Sequence, residues 1–314
     1  MQAKIILLPG SGIGDRLCGI AEEVLTDVSV AFGHTFSILR DKLGDAAVRS
    51  YGQPLADHTV RVCADANAVF IGDGRNQGEQ LLLQALGIPL KMRAFNVGET
   101  GQSCFRLLSC LHYDMTAFQA MFRIAYAAAA GEDAPLHYVL PETEPIIGAF
   151  LSAEQTVHQD FSSVHSEALT PSDAIERLIL APSELGLLVA PAYAGQAFLS
   201  LATCLHGAPM LLFDACAGSG ASVFEPFIPD GVKVNDELNP LGAVSAVAEM
   251  LRTSLQLTKE ADCVASAVKN ILDAGWRTPD MTSMGDGIGT YKMMQLISEQ
   301  INLAGELMQR GGHA

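Results

Sequence analysis

The first residues with a chemical use are Gly10-Ser11-Gly12-Ile13-Gly14, which lie between a short apolar run, Lys4 to Leu8, and a helical pattern starting at Asp15. A glycine turn between a strand and a helix offers backbone N–H groups that can cradle an anion. The same glycines also serve a tight turn that needs positive φ, so both readings stand. The Rossmann fingerprint is not met, because Asp15 occupies the place of its third glycine. His112, His137, His158 and His165 have no metal-ligand spacing and read as structural or exposed. Cys104 and Cys110 read as core thiols rather than nucleophiles. Met281, Met284, Met293 and Met294 read as packing beside the last helix. The run from Leu185 to Phe213 holds no Asp, Glu, Lys or Arg. Pro191, Gly195, His206 and Pro209 interrupt it, so it reads as a buried strand–helix–strand unit and not a membrane span.

The elements that must position these residues alternate. Apolar strands are expected at Lys4 to Leu8, Thr35 to Leu39 and Ala68 to Ile71, with helices from Asp15, from Asp45 to Tyr51 and from Glu79 to Leu86. This order predicts an α/β fold with a mainly parallel sheet flanked by helices. Farther on, Phe118 to Ala130 reads as an alanine-rich helix closed by Gly131. Leu136 to Val139, Leu185 to Val189 and Met210 to Phe213 read as strands. Helices are expected at Ile146 to Phe161, Ser172 to Ile179, Leu241 to Leu257, Lys259 to Ala274 and Thr290 to Met308.

With 314 residues, 49% of them hydrophobic and 17% charged, the chain can bury a large core in about two domains. The net charge of −16 argues against nucleic acid as a partner, which needs a basic face. Seven scattered cysteines without a C-x-x-C pair, and an N-terminal apolar run too short for a signal peptide, predict reduced thiols and a cytoplasmic location without membrane attachment.

Several segments together resemble the isopropylmalate/isocitrate (β-decarboxylating) dehydrogenase family. Gly10 to Gly14 is similar to its opening G-D-G-I-G turn. Leu43-Gly44-Asp45-Ala46-Ala47, Tyr51-Gly52-Gln53-Pro54-Leu55 and Ala66 to Gly72 resemble its G-G-A-A-I-D-x-x-G-x-P-L…A-D-A-V-L-L-G stretch, with Asn67 in place of an aspartate. Phe224-Glu225-Pro226, Asn239-Pro240, Gly275-Trp276-Arg277-Thr278-Pro279-Asp280 and Gly289-Thr290 match its F-E-P…N-P…G-Y-R-T-P-D…G-T pattern. The resemblance is weakest from about 107 to 170. It implies a two-domain α/β fold, with 1–92 and 207–314 forming a large domain and 93–206 a smaller inserted one.

The resemblance also implies a chemistry: oxidation of a 2-hydroxy acid by NAD or NADP, assisted by Mg²⁺ or Mn²⁺ held on aspartates, with arginines on the substrate carboxylates. Carried over, Arg93 and Arg106 fall on substrate arginines, while another falls on Leu83. Tyr113 falls on a family tyrosine, either the catalytic one or the one opening the next helix. Glu142 replaces the catalytic lysine, and Asp173 matches a metal aspartate. The other two metal aspartates fall on Gln196 and Ser200. Gly12, Ile13, Gly14, Glu225 and Asn239 match cofactor-side positions, but the adenine loop is replaced by Ile228-Pro229-Asp230-Gly231. Bland readings accompany these: surface ion pairs for the arginines, a solvated turn for Glu142 and a helix N-cap for Asp173.

No carboxylate lies between Glu184 and Asp214, so hard-oxygen ligands for Mg²⁺ or Mn²⁺ are lacking there. The expected metal content is therefore none, and NAD or NADP binding is expected to be weak or absent. The arm that clasps the family's dimer is missing, which predicts a homodimer with an altered clasp. Three functions follow: a small-carboxylate-binding or regulatory pseudoenzyme, an active NAD(P)-dependent oxidoreductase with a rebuilt site, or a non-catalytic subunit of a heteromeric dehydrogenase.

Overall fold

A computed structural model describes residues 1–95, 105–110, 114–132, 134–141, 144–181, 184–191, 194–195, 197–198, 201, 212–217, 220–228, 237–282 and 284–311. Two compact units emerge, Met1–Ile88 with Ala208–Ala314, and Pro89–Gly207.

The first unit is built on β1 (Gln2–Gly10), whose Ile5 to Leu8 are buried on both faces, as a central parallel strand requires. It pairs in parallel with β2 (Thr35–Arg40) on one side and β3 (Ala68–Asp73) on the other. β10 (Ser222–Pro226) continues in parallel beside β3, and β9 (Leu212–Ala217) pairs antiparallel with β10. α1 (Gly14–Phe32) follows β1 and buries Leu17, Ala21, Val24, Leu25 and Val28 on one stripe. Gly33, in the left-handed conformation, ends it. α2 (Asp45–Tyr51), α3 (Asp57–Ala64) and α4 (Gln77–Ala85) connect the early strands. The helices α8 (Leu241–Thr253), α9 (Thr258–Asp273) and α10 (Thr290–Gly311) close the unit.

The second unit orders its strands β4 (Leu90–Phe95), β5 (Phe105–Cys110), β8 (Gly186–Val189), β6 (Leu136–Val139) and β7 (Ser166–Leu169). Among its described residues, only β4 and β5 pair antiparallel. Its core gathers Phe118, Phe122 and Tyr126 of α5 (Met115–Glu132), Phe150 of α6 (Glu144–His158), Tyr138, Leu90 and Leu108. Phe122 meets Phe150 and Tyr138 edge-on, with ring centroids 4.9 and 5.7 Å apart. α7 (Pro171–Leu180) follows β7.

Several expectations need correction. Gly131 does not close its helix; α5 runs through it to Glu132, in open space that tolerates glycine. The helix from Leu241 stops at Thr253, and Met284 is 87% exposed rather than packed. The strands β4, β5, β7 and β10 and the short α3 were not anticipated, because runs of four to eight residues carry too little periodicity. Among the described residues, no helix is long and apolar enough to cross a membrane.

Candidate functional site

In the first unit, the chain passes from β1 to β2 and then crosses back to β3 on the other side of β1. The carboxyl ends of β1 and β3 therefore flank a topological switch point, where open α/β sheets place ligands. Gly12, Ile13 and Gly14 lie there. Gly12 has φ +51, and a Cβ on it would stand 2.8 Å from Oδ2 of Asp73. A Cβ on Gly14 would stand 1.6 Å from the Pro9 carbonyl oxygen, so this residue is fixed by the approach of its own chain. Asp73, 1% exposed, receives N–H bonds from Arg75 Nε at 3.0 Å and Arg75 Nη2 at 2.9 Å. The Ser11 hydroxyl oxygen, in the same turn, is buried and has no hydrogen-bond partner among the described residues. Gly14 is thus explained by close backbone packing and Gly12 by its positive φ beside the Asp73 carboxylate, and α1 still begins at the crevice without a side-chain cap.

The other two cofactor-side positions are also tied internally. Glu225 is buried on β10, and its Oε2 occupies the space a Gly74 side chain would need. Asn239 is 2% exposed; its Oδ1 accepts the Leu241 N–H at 2.9 Å, and its Nδ2 donates to Asp280 Oδ2 at 3.1 Å. Thr278 donates to Asp280 Oδ1 at 2.6 Å, and Thr290 donates to the Leu238 carbonyl at 2.6 Å. The Asn-Pro, Arg-Thr-Pro-Asp and Gly-Thr motifs therefore meet in one knot. There the Asn239 amide braces α8 and offers a cofactor little.

In the second unit, β4 and β5 decide which cations share a face. Arg93 pairs with Leu107, Ala94 with Arg106, and Lys91 with Ser109. Directly opposed residues share a face and neighbours alternate. Arg93 and Arg106 accordingly stand on opposite faces, and one ligand carboxylate cannot take both as a pair. Arg106 shares the face of Leu108 and Cys110, which belong to the aromatic core. Arg93 shares its face with Lys91, Leu107 and Ser109. Gly195 packs against that face: a Cβ on it would lie 2.8 Å from Ser109 Oγ and 3.2 Å from Leu107 Cδ2.

Asp173 is not an N-cap. Thr170 is the cap, and Asp173, three residues on, completes a capping box: its N–H donates to Thr170 Oγ1 at 3.2 Å, and its carboxylate accepts the Thr170 N–H at 3.4 Å. Asp173 is exposed, so its carboxylate can still reach a ligand at the cost of that cap. Tyr113, Glu142, Gln196 and Ser200 lie outside the described residues. Among the described residues, no group of three His, Cys, Asp or Glu side chains could hold a metal ion.

A polar hub that the sequence did not announce lies in the same unit. Tyr126 bonds Glu154 very closely, and its oxygen also lies 2.8 Å from His158 Nδ1 and 2.9 Å from Ser166 Oγ. A phenol has one proton to donate, and Glu154 takes it. His158 Nδ1 and the Ser166 hydroxyl complete the cluster around the phenol oxygen. Burial and the bond to Glu154 push the Tyr126 phenol well above its usual range. Burial also pushes the Cys18, Cys63 and Cys110 thiols up to about 12, which leaves them inert.

Comparison with known proteins gives a consistent family. The profile described as isocitrate/isopropylmalate dehydrogenase matches residues 4–78 and 110–297. A 3-isopropylmalate dehydrogenase of Rhodopirellula baltica is 30% identical, covering 90% of this chain and 93% of its own. That of Geobacillus kaustophilus is 27% identical, covering 95% of each. Among solved structures, a beta-decarboxylating dehydrogenase from Thermococcus kodakarensis superposes with a TM-score of 0.83 at 19% identity, covering 95% of this chain and 96% of that one. Isocitrate dehydrogenase from Methylococcus capsulatus gives 0.81 at 21% identity, covering 96% and 99%. The chain belongs to the isocitrate/isopropylmalate dehydrogenase family, as a divergent member with that family's mixed α/β fold.

Proposed function

We propose that this chain is a family member that binds a small carboxylic acid in a regulatory or sensing role and has given up metal-dependent oxidation by NAD or NADP. The observation that carries the reading is the stretch between Glu184 and Asp214, which holds no carboxylate; on the resemblance, its Gln196 and Ser200 fall where the family has metal aspartates. Neutral amide and hydroxyl oxygens make a weak site for Mg²⁺ or Mn²⁺. The capping role of Asp173 and the internal bonds of Asn239 support the same reading. Arg93 is the substrate-side residue kept in this proposal, together with Tyr113. We further propose a cytoplasmic homodimer with an altered clasp, its inserted domain starting before β4 rather than at the sequence-drawn boundary of 92/93.

The test is a calorimetric titration with NAD, NADH, NADP and NADPH, each with and without Mn²⁺, beside a turnover screen of 2-hydroxy diacids. The expected result is no micromolar cofactor binding and no turnover. Mn²⁺-dependent reduction of NAD or NADP with any such acid would overturn the reading in favour of an active oxidoreductase. Gln196→Asp, Ser200→Asp and Glu142→Lys together are expected to raise metal affinity; an unchanged affinity would mean that these are not the metal positions.

A further inference from the structure

Asp73, the last residue of β3, pairs with Gly10 across the sheet and lies beside the glycine turn that opens α1. It is 1% exposed, and its Oδ2 stands 2.8 Å from the place of a Cβ on Gly12. We infer that the Asp73 carboxylate, clamped by Arg75, is the built-in anion of this turn and shuts a nucleotide phosphate out of the crevice. The inference rests on the reading that cofactor binding has been given up, and it names the residues that exclude the cofactor.

A glycine turn at a helix N-terminus takes an anion for two reasons. The missing side chains leave room, and the first N–H groups of the helix carry partial positive charge. Here the chain itself answers both. Gly12 keeps its positive φ of +51, but the room beside it holds a carboxylate of the same chain. That carboxylate lies at the positive end of α1, a helix of 19 residues, where one negative charge is favoured. A phosphate arriving second would meet a like charge in a crevice from which water is largely excluded, and repulsion is strong there. Gly74, next in the chain, is hemmed by two further carboxylates: Glu225 Oε2 takes the place of its Cβ, and Glu79 Cδ stands 3.2 Å from that place. The rim is therefore acidic, and these residues do not fit an anionic cofactor.

The clamp is held on every side. Arg75 donates from Nε to Asp73 Oδ1 at 3.0 Å and from Nη2 to Oδ2 at 2.9 Å, so one planar fork holds both oxygens. The Arg75 backbone N–H adds a bond to Oδ1 at 3.2 Å. The Asp73 carbonyl accepts the Ser11 N–H at 3.3 Å and the Asn76 side-chain amide at 2.9 Å. Asn76 in turn caps α4, its Oδ1 accepting the Gly78 N–H at 2.9 Å. A phosphate would have to part a bidentate pair whose carboxylate is buried, and a buried charge left without its partner is costly.

The test is calorimetry of the full chain in EDTA. Pyrophosphate is the probe, because it reads the turn without calling on the replaced adenine loop. It is titrated into the unmodified protein, Asp73→Asn, and Asp73→Asn combined with Arg75→Gln; NADH is titrated into the unmodified protein. Asp73→Asn keeps the shape of the side chain and releases the guanidinium. It is expected to bind pyrophosphate at least ~10-fold tighter than the unmodified protein, and the double variant to lose that gain. Melting temperatures check folding; if Asp73→Asn is unfolded, Asp73→Ser replaces it. Hydrogen exchange on the unmodified chain gives a reading free of any variant: pyrophosphate is expected to leave the amides of residues 12–16 unprotected. Protection of those amides overturns the clamp. So does a folded Asp73 variant without any gain, the result expected of an ion pair that only orders the loop, and so does a gain that survives in the double variant. Each of these leaves the loss of the cofactor standing. Micromolar NADH binding by the unmodified protein overturns both.

Discussion

The glycine turn of the first unit and the tyrosine hub of the second solve opposite problems. At the turn, backbone lies against backbone: Gly14 faces Pro9, and Gly72 in turn faces Gly14. Nothing larger than hydrogen fits, and the order is set by the absence of side chains. At the hub, one phenol on α5 collects a carboxylate and an imidazole from α6 and a hydroxyl from β7. There the order is set by side-chain chemistry, and the backbone is ordinary. A steric site fails at the first added atom. A hydrogen-bonded site fails in proportion to the partners left unsatisfied.

That contrast can be broken from its strong end first. Gly14→Ala is expected to cost about 4 kcal/mol or more, or to prevent folding, because the new methyl meets a carbonyl that cannot retreat. Gly19, in the same helix, has nothing within 4 Å of its Cβ position, so Gly19→Ala is expected to stabilise by about 0.5–1 kcal/mol. Urea unfolding of both variants measures the difference. Equal effects would mean that the turn relaxes more than its contacts imply.

Tyr126→Phe comes next. It strips the buried Glu154 of its phenol donor and Ser166 and His158 of a shared partner, and is expected to cost about 2–3 kcal/mol. A loss below about 0.5 kcal/mol would show that Ser166 and His158 satisfy Glu154 unaided. Asn239→Ala removes two bonds from the knot around Asp280 and is expected to cost about 1–2 kcal/mol, read from the same unfolding curves.

The smallest effect is electrostatic. Burial raises the Asp27 carboxyl above its ordinary value, against the opposing bond from Ser298. A carboxyl raised in the folded state costs stability while it is ionised. The cost is relieved as pH falls through the raised value towards the ordinary one. Asp27→Asn is therefore expected to flatten that gain on acidification, with a change at neutral pH within about 0.5 kcal/mol. Thermal melts across the acidic range measure it, and a steeper slope in the variant would reverse the assignment.

Legibility followed the same division. The glycine turn, the long helices α1, α8, α9 and α10, and the family motifs around Asn239 and Thr278 are local patterns, and they were visible in order along the chain. The hub was not, since Tyr126, Glu154, His158 and Ser166 are ordinary residues scattered over 40 positions until α5, α6 and β7 pack. Arg93 and Arg106 looked like a pair, because a sequence gives residue types without faces.

By itself, the sequence determined the fold family, the turn at the end of β1 and the absence of acidic residues from 185 to 213. These depend on residue type and on spacing within one element. The tertiary structure alone decided which cations share a face, which carboxylate is spent on a cap and which phenol gathers a network. Those outcomes depend on strand register and on packing between distant segments, where a shift of one residue reverses the face of every side chain.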